Sequence, residues 1–140
     1  MRQFPIEMLV FSLWIAAVVG CNTRSEGEAR AQQGILLLID TAWDSVAARE
    51  KRPPKSFEEL GKGLLKAGAS EALLDSIRRG SYEILYGADR ESLVATGRGG
   101  TAIAYDSQAK TSGGFVLCAN GNIEEVTAEV LRVKLIPVQK

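Results

Sequence analysis

The sequence predicts an α+β fold: an N-terminal helix and two short helices packed on a four- to five-stranded antiparallel sheet. Two observations carry this. Apolar residues recur at helical spacing up to about Ile77, and from Tyr82 onward the spacing changes to two. The second half is also divided by glycine-rich turn signals, the pattern of consecutive strands in a meander.

The first 21 residues, MRQFPIEMLVFSLWIAAVVGC, stand apart from that domain. Arg2 and the initiator amine precede an apolar run from Met8 to Gly20, interrupted only by Ser12. The run is 13 residues long, short of the ~20 that a membrane-crossing helix needs. A cationic start, a short apolar centre and a small-residue end are the pattern of an export signal. Its end, Val18-Val19-Gly20-Cys21, resembles the lipobox of bacterial lipoproteins. The resemblance implies that residues 1–20 are a signal peptide, cut before Cys21. It also implies that Cys21 carries a diacylglycerol thioether and an acylated amine. Several chains give stable anchoring, since each buried CH₂ contributes about 0.8 kcal/mol and a single chain is marginal. Asn22 follows where an Asp would imply retention at the inner membrane, so the resemblance favours an outer-membrane anchor facing the periplasm.

The same segment holds a competing resemblance. Phe4-Pro5-Ile6-Glu7-Met8-Leu9-Val10 is similar to a type IV pilin leader, in which Gly precedes Phe and Glu follows four residues after it. Here Gln3 precedes Phe4, and Glu7 comes three residues after it. On this alternative, residues 4–20 stay in place as an assembly helix.

Asn22 to Gln33 is polar, and with Cys21 it reads as a tether, residues 21–33. Residues 34–140 then form a single domain, a size that buries a modest core. Gly34 to Glu50 is the first predicted helix, with Glu28 as an earlier alternative start. Ile35, Ile39, Ala42, Trp43 and Val46 lie on one face. Asp40 and Asp44 share another at i, i+4. Two carboxylates are too few oxygen ligands for a metal, so this reads as a solvated face.

Pro53 and Pro54 end the helix. Ser56 and Glu59 fit a capping box opening a second helix, which Gly68 closes. Ser70 opens a third, closed by Gly80. Strands are predicted at 82–86, 92–96, 101–106, 115–119 and 122–126. Gly97-Arg98-Gly99-Gly100 reads as a hairpin loop, and its phosphate-cradle alternative lacks the P-loop pattern. Asn120-Gly121 is the strongest hairpin turn. Thr127 caps a last helical turn, with an alternating strand as the other reading of the tail.

Ile103 to Leu131, IAYDSQAKTSGGFVLCANGNIEEVTAEVL, resembles the ending of small exported planctomycete-type pilin-like proteins. It covers roughly a fifth of the chain and implies a helix packed on an antiparallel sheet. It brings no catalytic residues.

Composition narrows the chemistry. Seventeen basic residues balance 17 acidic ones, which gives no long-range attraction to nucleic acid. Histidine is absent, and with it the commonest general base and metal ligand. No catalytic, cofactor or metal residues are assigned. If Cys21 is acylated, Cys118 has no intrachain partner. If it is not, the two can form a disulfide in an oxidising compartment. Cys118 itself reads as a buried structural thiol. The expectation is a lipid-anchored envelope protein with a structural or interaction role and no enzymatic activity. Its partners are membrane lipid through Cys21 and a protein of the cell envelope. The alternatives are a pilin-like or pseudopilin subunit and a histidine-independent hydrolase or transferase.

Overall fold

The computed structural model of the protein describes residues 25–135. Cys21, the signal segment and the Phe4–Val10 motif lie outside the described residues, as does the tail from 136. Ten elements run in the order α1 (Glu26–Glu50), α2 (Phe57–Lys66), α3 (Glu71–Arg78), β1 (Tyr82–Ile84), α4 (Arg90–Ala95), β2 (Ala102–Asp106), α5 (Ala109–Ser112), β3 (Gly114–Cys118), β4 (Ile123–Val126) and α6 (Ala128–Leu135). The class is α+β, with a four-stranded antiparallel sheet in the order β1-β2-β3-β4.

The first helix starts at Glu26, two residues before the alternative start at Glu28 and well before Gly34, so much of the segment read as a tether is helical. The Ser25 side chain accepts a hydrogen bond from the Glu28 amide at 3.1 Å, and Glu26 and Glu28 place negative charge in the first turn. Both effects stabilise a helix N-terminus. Burial begins only at Leu36 and continues through Ile39, Ala42, Trp43 and Val46. Lys51 ends the helix in the left-handed conformation, with φ 61°, and its amide bonds to Ala47 O.

The caps of the next two helices agree with expectation. Ser56 and Ser70 accept from the Glu59 and Leu73 amides. The Glu59 carboxylate reaches past Ser56 to the Lys55 amide, at 2.9 Å, and also grips Arg52 at 2.9 and 2.7 Å. These contacts, Arg52 first, hold the Glu59 carboxyl down to about 2. A carboxylate depressed by folding stabilises the fold above its unfolded value, and that contribution disappears as pH falls through its folded value. Glu59→Gln is therefore expected to flatten the acid limb of stability between pH 4.5 and about 2, measured as urea midpoints against pH.

The predicted strand 92–96 is instead the helix α4, and the sheet has four strands, the lower of the four to five expected. Local capping overrides the β-like composition of Ser-Leu-Val-Ala-Thr. Asp89 accepts from the Ser92 amide at 3.2 Å. At the other end Gly97, with φ 81°, sends its amide to Val94 O, and Arg98 sends its amide to Leu93 O. This is the paired closure of a Schellman motif. Gly68 and Gly80 close α2 and α3 by the same pair of bonds. Residues 97–100 consequently join a helix to β2 and are not a hairpin loop.

The one tight hairpin joins β3 to β4, but with a three-residue loop. The Gly121 amide bonds to Cys118 O, and the Cys118 amide bonds to Asn122 O. Only Gly121 takes positive φ, at 92°, which makes a turn followed by a bulge rather than a two-residue turn. Thr127 caps the last helix by accepting from the Val130 amide, so Ala128–Leu135 is helical and not a strand.

Both faces of the sheet are covered. Ile103, Phe115 and Leu117 join Leu36, Ile39 and Trp43 of α1 in the larger core. Tyr105, Val116 and Cys118 join Ala109 and Leu131 in a smaller core beneath α5 and α6. The central strand β3 is thus buried along its whole length. A register shift between Ala102 and Ala104 turns Ala102 toward the second core and Ile103 and Ala104 toward the first. Helices α1 and α2 approach closely at Gly63, where a Cβ would lie 2.9 Å from Ala42 O.

Candidate functional site

One cleft lies where the C-terminal half of α1, the start of α4 and the β3–β4 hairpin converge. Its volume is about 760 Å³, and Trp43, Asp44, Lys51, Arg90, Val94 and Asn120 are among its lining residues. Each wall is fixed by local structure. Lys51 and the following prolines turn the chain out of α1. The buried Pro54 accepts from the Gly87 amide at 2.8 Å, which holds the start of α4 against that turn. The hairpin is tied down by the amides of Ala119 and Asn120, which bond to Thr101 O and Gly99 O.

Arg90 joins the three walls. It is the first residue of α4, projected by the Asp89 cap. Its Nη1 lies 2.7 Å from Asp40 Oδ1 and 3.4 Å from Asp44 Oδ1. Its Nε donates to Ala119 O at 2.9 Å. The Arg90 and Asp40 side chains are only 13% and 21% exposed. Asp40 is therefore part of a partly enclosed ion pair rather than a solvated face, while Asp44, 71% exposed, is solvated as expected. The cation of the pair comes from 46 residues downstream of Asp44, with no local sequence signal to announce it. Asp44 is more open. Partial loss of hydration still raises its carboxyl above the ordinary value, opposed by Arg90 and reinforced by Asp40.

The two arginines that line this cleft are internally compensated. Arg52 is committed to Glu59 and Glu50, and Arg90 to the two aspartates. Val94, 48% exposed, provides apolar surface, while Trp43 reaches the cleft only by the edge of a side chain that is otherwise in the core. A wall of this kind suits contact with another polypeptide better than charge-driven capture of a small ion.

A second groove, of about 790 Å³, runs between the β1–α4 loop and α6, with Leu85, Tyr86, Leu93 and Val133 among its lining residues. Leu85 and Val133 are exposed there.

Cys118 is fully buried, as expected, and no disulfide partner for it lies among the described residues. Its Sγ lies 3.9 Å from Lys134 Nζ, which also contacts Glu124 at 3.0 Å and Gly100 O at 3.2 Å. Burial pushes the thiol above its ordinary value despite the nearby ammonium. A protonated, enclosed thiol is a poor nucleophile. Among the described residues no group of three or more Cys, Asp or Glu is placed to hold a metal ion. No helix among them is long and apolar enough to cross a membrane. Cys21, the one site residue assigned from sequence, lies outside them. Comparison with protein-family models, curated proteins and solved structures gives no match for this chain.

Proposed function

We propose that this protein is a lipid-anchored domain of the bacterial cell envelope that presents the Trp43–Arg90–Asn120 cleft to a protein partner. The observation that carries the reading is the placement of α1 between anchor and cleft. The helix cap Ser25 lies four residues after Cys21, the residue the lipobox pattern would acylate. Trp43 lies 18 residues beyond Ser25 along one continuous helix, a rise of about 27 Å. Acylated Cys21 would hold one end of α1 at the membrane, while the cleft is carried toward the other. Outer-membrane attachment facing the periplasm follows from Asn22 after the Cys. The compensated arginines of the cleft favour a binding role over catalysis.

Cys21→Ser tests the anchor. The expected result is loss of the acylated N-terminal mass, with the protein released from membranes or accumulating unprocessed. Unchanged processing and attachment would overturn the lipoprotein reading.

A pilin-like subunit is the second reading. It is favoured by the long α1 lying along an antiparallel meander, the arrangement that the C-terminal resemblance implies. On that reading the segment before α1 remains in the mature chain and Cys21→Ser is silent.

A further inference from the structure

We propose that α1 is hinged at Gly34, so that its first turns swing relative to the domain and a Gln32–Asp106 contact latches them in the state described. The inference rests on the anchored reading for its purpose, but not for its physics. Gly34 divides α1 into two unlike parts. From Leu36 onward the helix is buried against the sheet. Before Gly34, residues 26–28, 30, 31 and 33 are exposed, and Ala29 only partly packs on the core.

Glycine inside a helix lowers stability by roughly 0.5–1 kcal/mol relative to alanine, because its backbone is freer when unfolded. Helical glycines are often excused by a close neighbour, as Gly63 is here by Ala42 O. Gly34 has no such excuse: a Cβ built on it would meet nothing within 4 Å. Gly27 is equally unobstructed but is the second residue of the helix, where a glycine interrupts nothing before it. The weakest helical position is therefore placed at the border between the packed and the exposed part. Beside the packing of Ala29, a long-range polar contact reaches this side. Gln32 Nε2 donates to Asp106 Oδ2 at 3.4 Å, a long and partly solvated hydrogen bond that opens at small cost. A hinge there would let an anchored domain tilt its cleft toward a partner without detaching.

The test is a pair of spin labels on the full-length protein in detergent micelles, at Arg30→Cys and Ser112→Cys. Both positions are exposed and the native Cys118 is enclosed; the intact mass gives the number of labels, two when Cys21 is acylated, and where a third label is found the variants are remade with Cys21→Ser. Two distance populations are expected, merging to one on Gly34→Ala, with Gln32→Ala moving population toward the longer distance. A single narrow distance before and after Gly34→Ala overturns the hinge. Two populations that Gly34→Ala leaves unaltered also overturn it. No shift on Gln32→Ala overturns the latch. The N-terminal mass of the same sample reports acylation of Cys21 separately, so failure of the hinge and failure of the anchor are distinguishable.

Discussion

Trp43→Ala is expected to cost the domain about 3–5 kcal/mol, the largest stability loss of any single change considered. Trp43 is 2% exposed and sits at the centre of the larger core, between the α1 face and the sheet. Its neighbours come from five elements with different roles: Leu36 and Ile39 on its own helix, Leu60 and Leu64 on α2, Leu74 on α3, Ile103 on β2 and Leu117 on β3 all belong to the same buried cluster. A helix carrying 25 residues cannot settle into the vacated volume without dragging its other contacts, so most of the cavity would remain. The loss is a large share of the 5–15 kcal/mol by which domains of this kind are stable. Trp43→Phe keeps most of the volume and should cost much less, about 1 kcal/mol. Urea unfolding followed by far-ultraviolet circular dichroism measures both. A Trp43→Ala cost under 1 kcal/mol would mean that α1 does not organise the core as described. Because Trp43 also lines the cleft, the Phe variant is the better probe of partner binding.

The parts of this fold that were legible in the sequence are those set by neighbours in the chain. Ser56 and Ser70 announced their helices because an N-cap acts within three residues. The strands at Thr101–Asp106 and Phe115–Ala119 were legible because a strand covered on both faces reads as a short, nearly unbroken apolar run bounded by turn residues. Two misreadings had local signals that were present and outweighed. Ser25 and Glu28 form the same Ser-x-x-Glu pattern as Ser56 and Glu59, yet the polar composition of 22–33 suggested a tether. Asp89 and Gly97 bracket Ser92–Thr96 as a cap and a closure, yet a β-branched, apolar pentapeptide suggested a strand. No residue of α4 is fully buried; its caps set the local conformation, and Leu93 and Arg90 hold it against the rest of the domain. What was not legible is long-range. The covering of the second sheet face by α6 depends on where Leu131 arrives after the hairpin. The partner of Asp40 is one of 17 basic residues, and spacing along the chain does not distinguish it. The candidate cleft is built largely from such contacts, which is why Arg90 and Asn120 were not singled out before the fold was known.

Arg90→Leu is expected to cost about 2–3 kcal/mol, less than the deepest buried pairs because some solvent reaches the site. Three losses combine. Asp40, whose side chain is 21% exposed, keeps a charge with no counter-ion beside it. Ala119 O loses its donor from Arg90. The α4 helix, with no buried residue of its own, loses its strongest tie to α1. Asp40→Leu alone should cost less, near 1 kcal/mol, since Arg90 retains Asp44 and Ala119 O and removing the carboxylate leaves no orphaned acid. The double variant separates this account from simple loss of packing. If the pair is a compensated charge in a mostly enclosed seam, Arg90→Leu/Asp40→Leu should be more stable than Arg90→Leu by itself, because the stranded carboxylate is gone. Strictly additive costs in that cycle would mean that the 2.7 Å contact carries no coupling and that Arg90 acts only through its aliphatic stem. Hydrogen exchange supplies the spatial check. In Arg90→Leu the amides of Asn120 and of α4 should exchange faster, while those of β3 keep their protection, because the hairpin tip and α4 are what Arg90 fastens and the strand is held from both sides by the cores. Uniform acceleration across β3 would instead show that the clasp supports the whole sheet rather than the walls of the cleft.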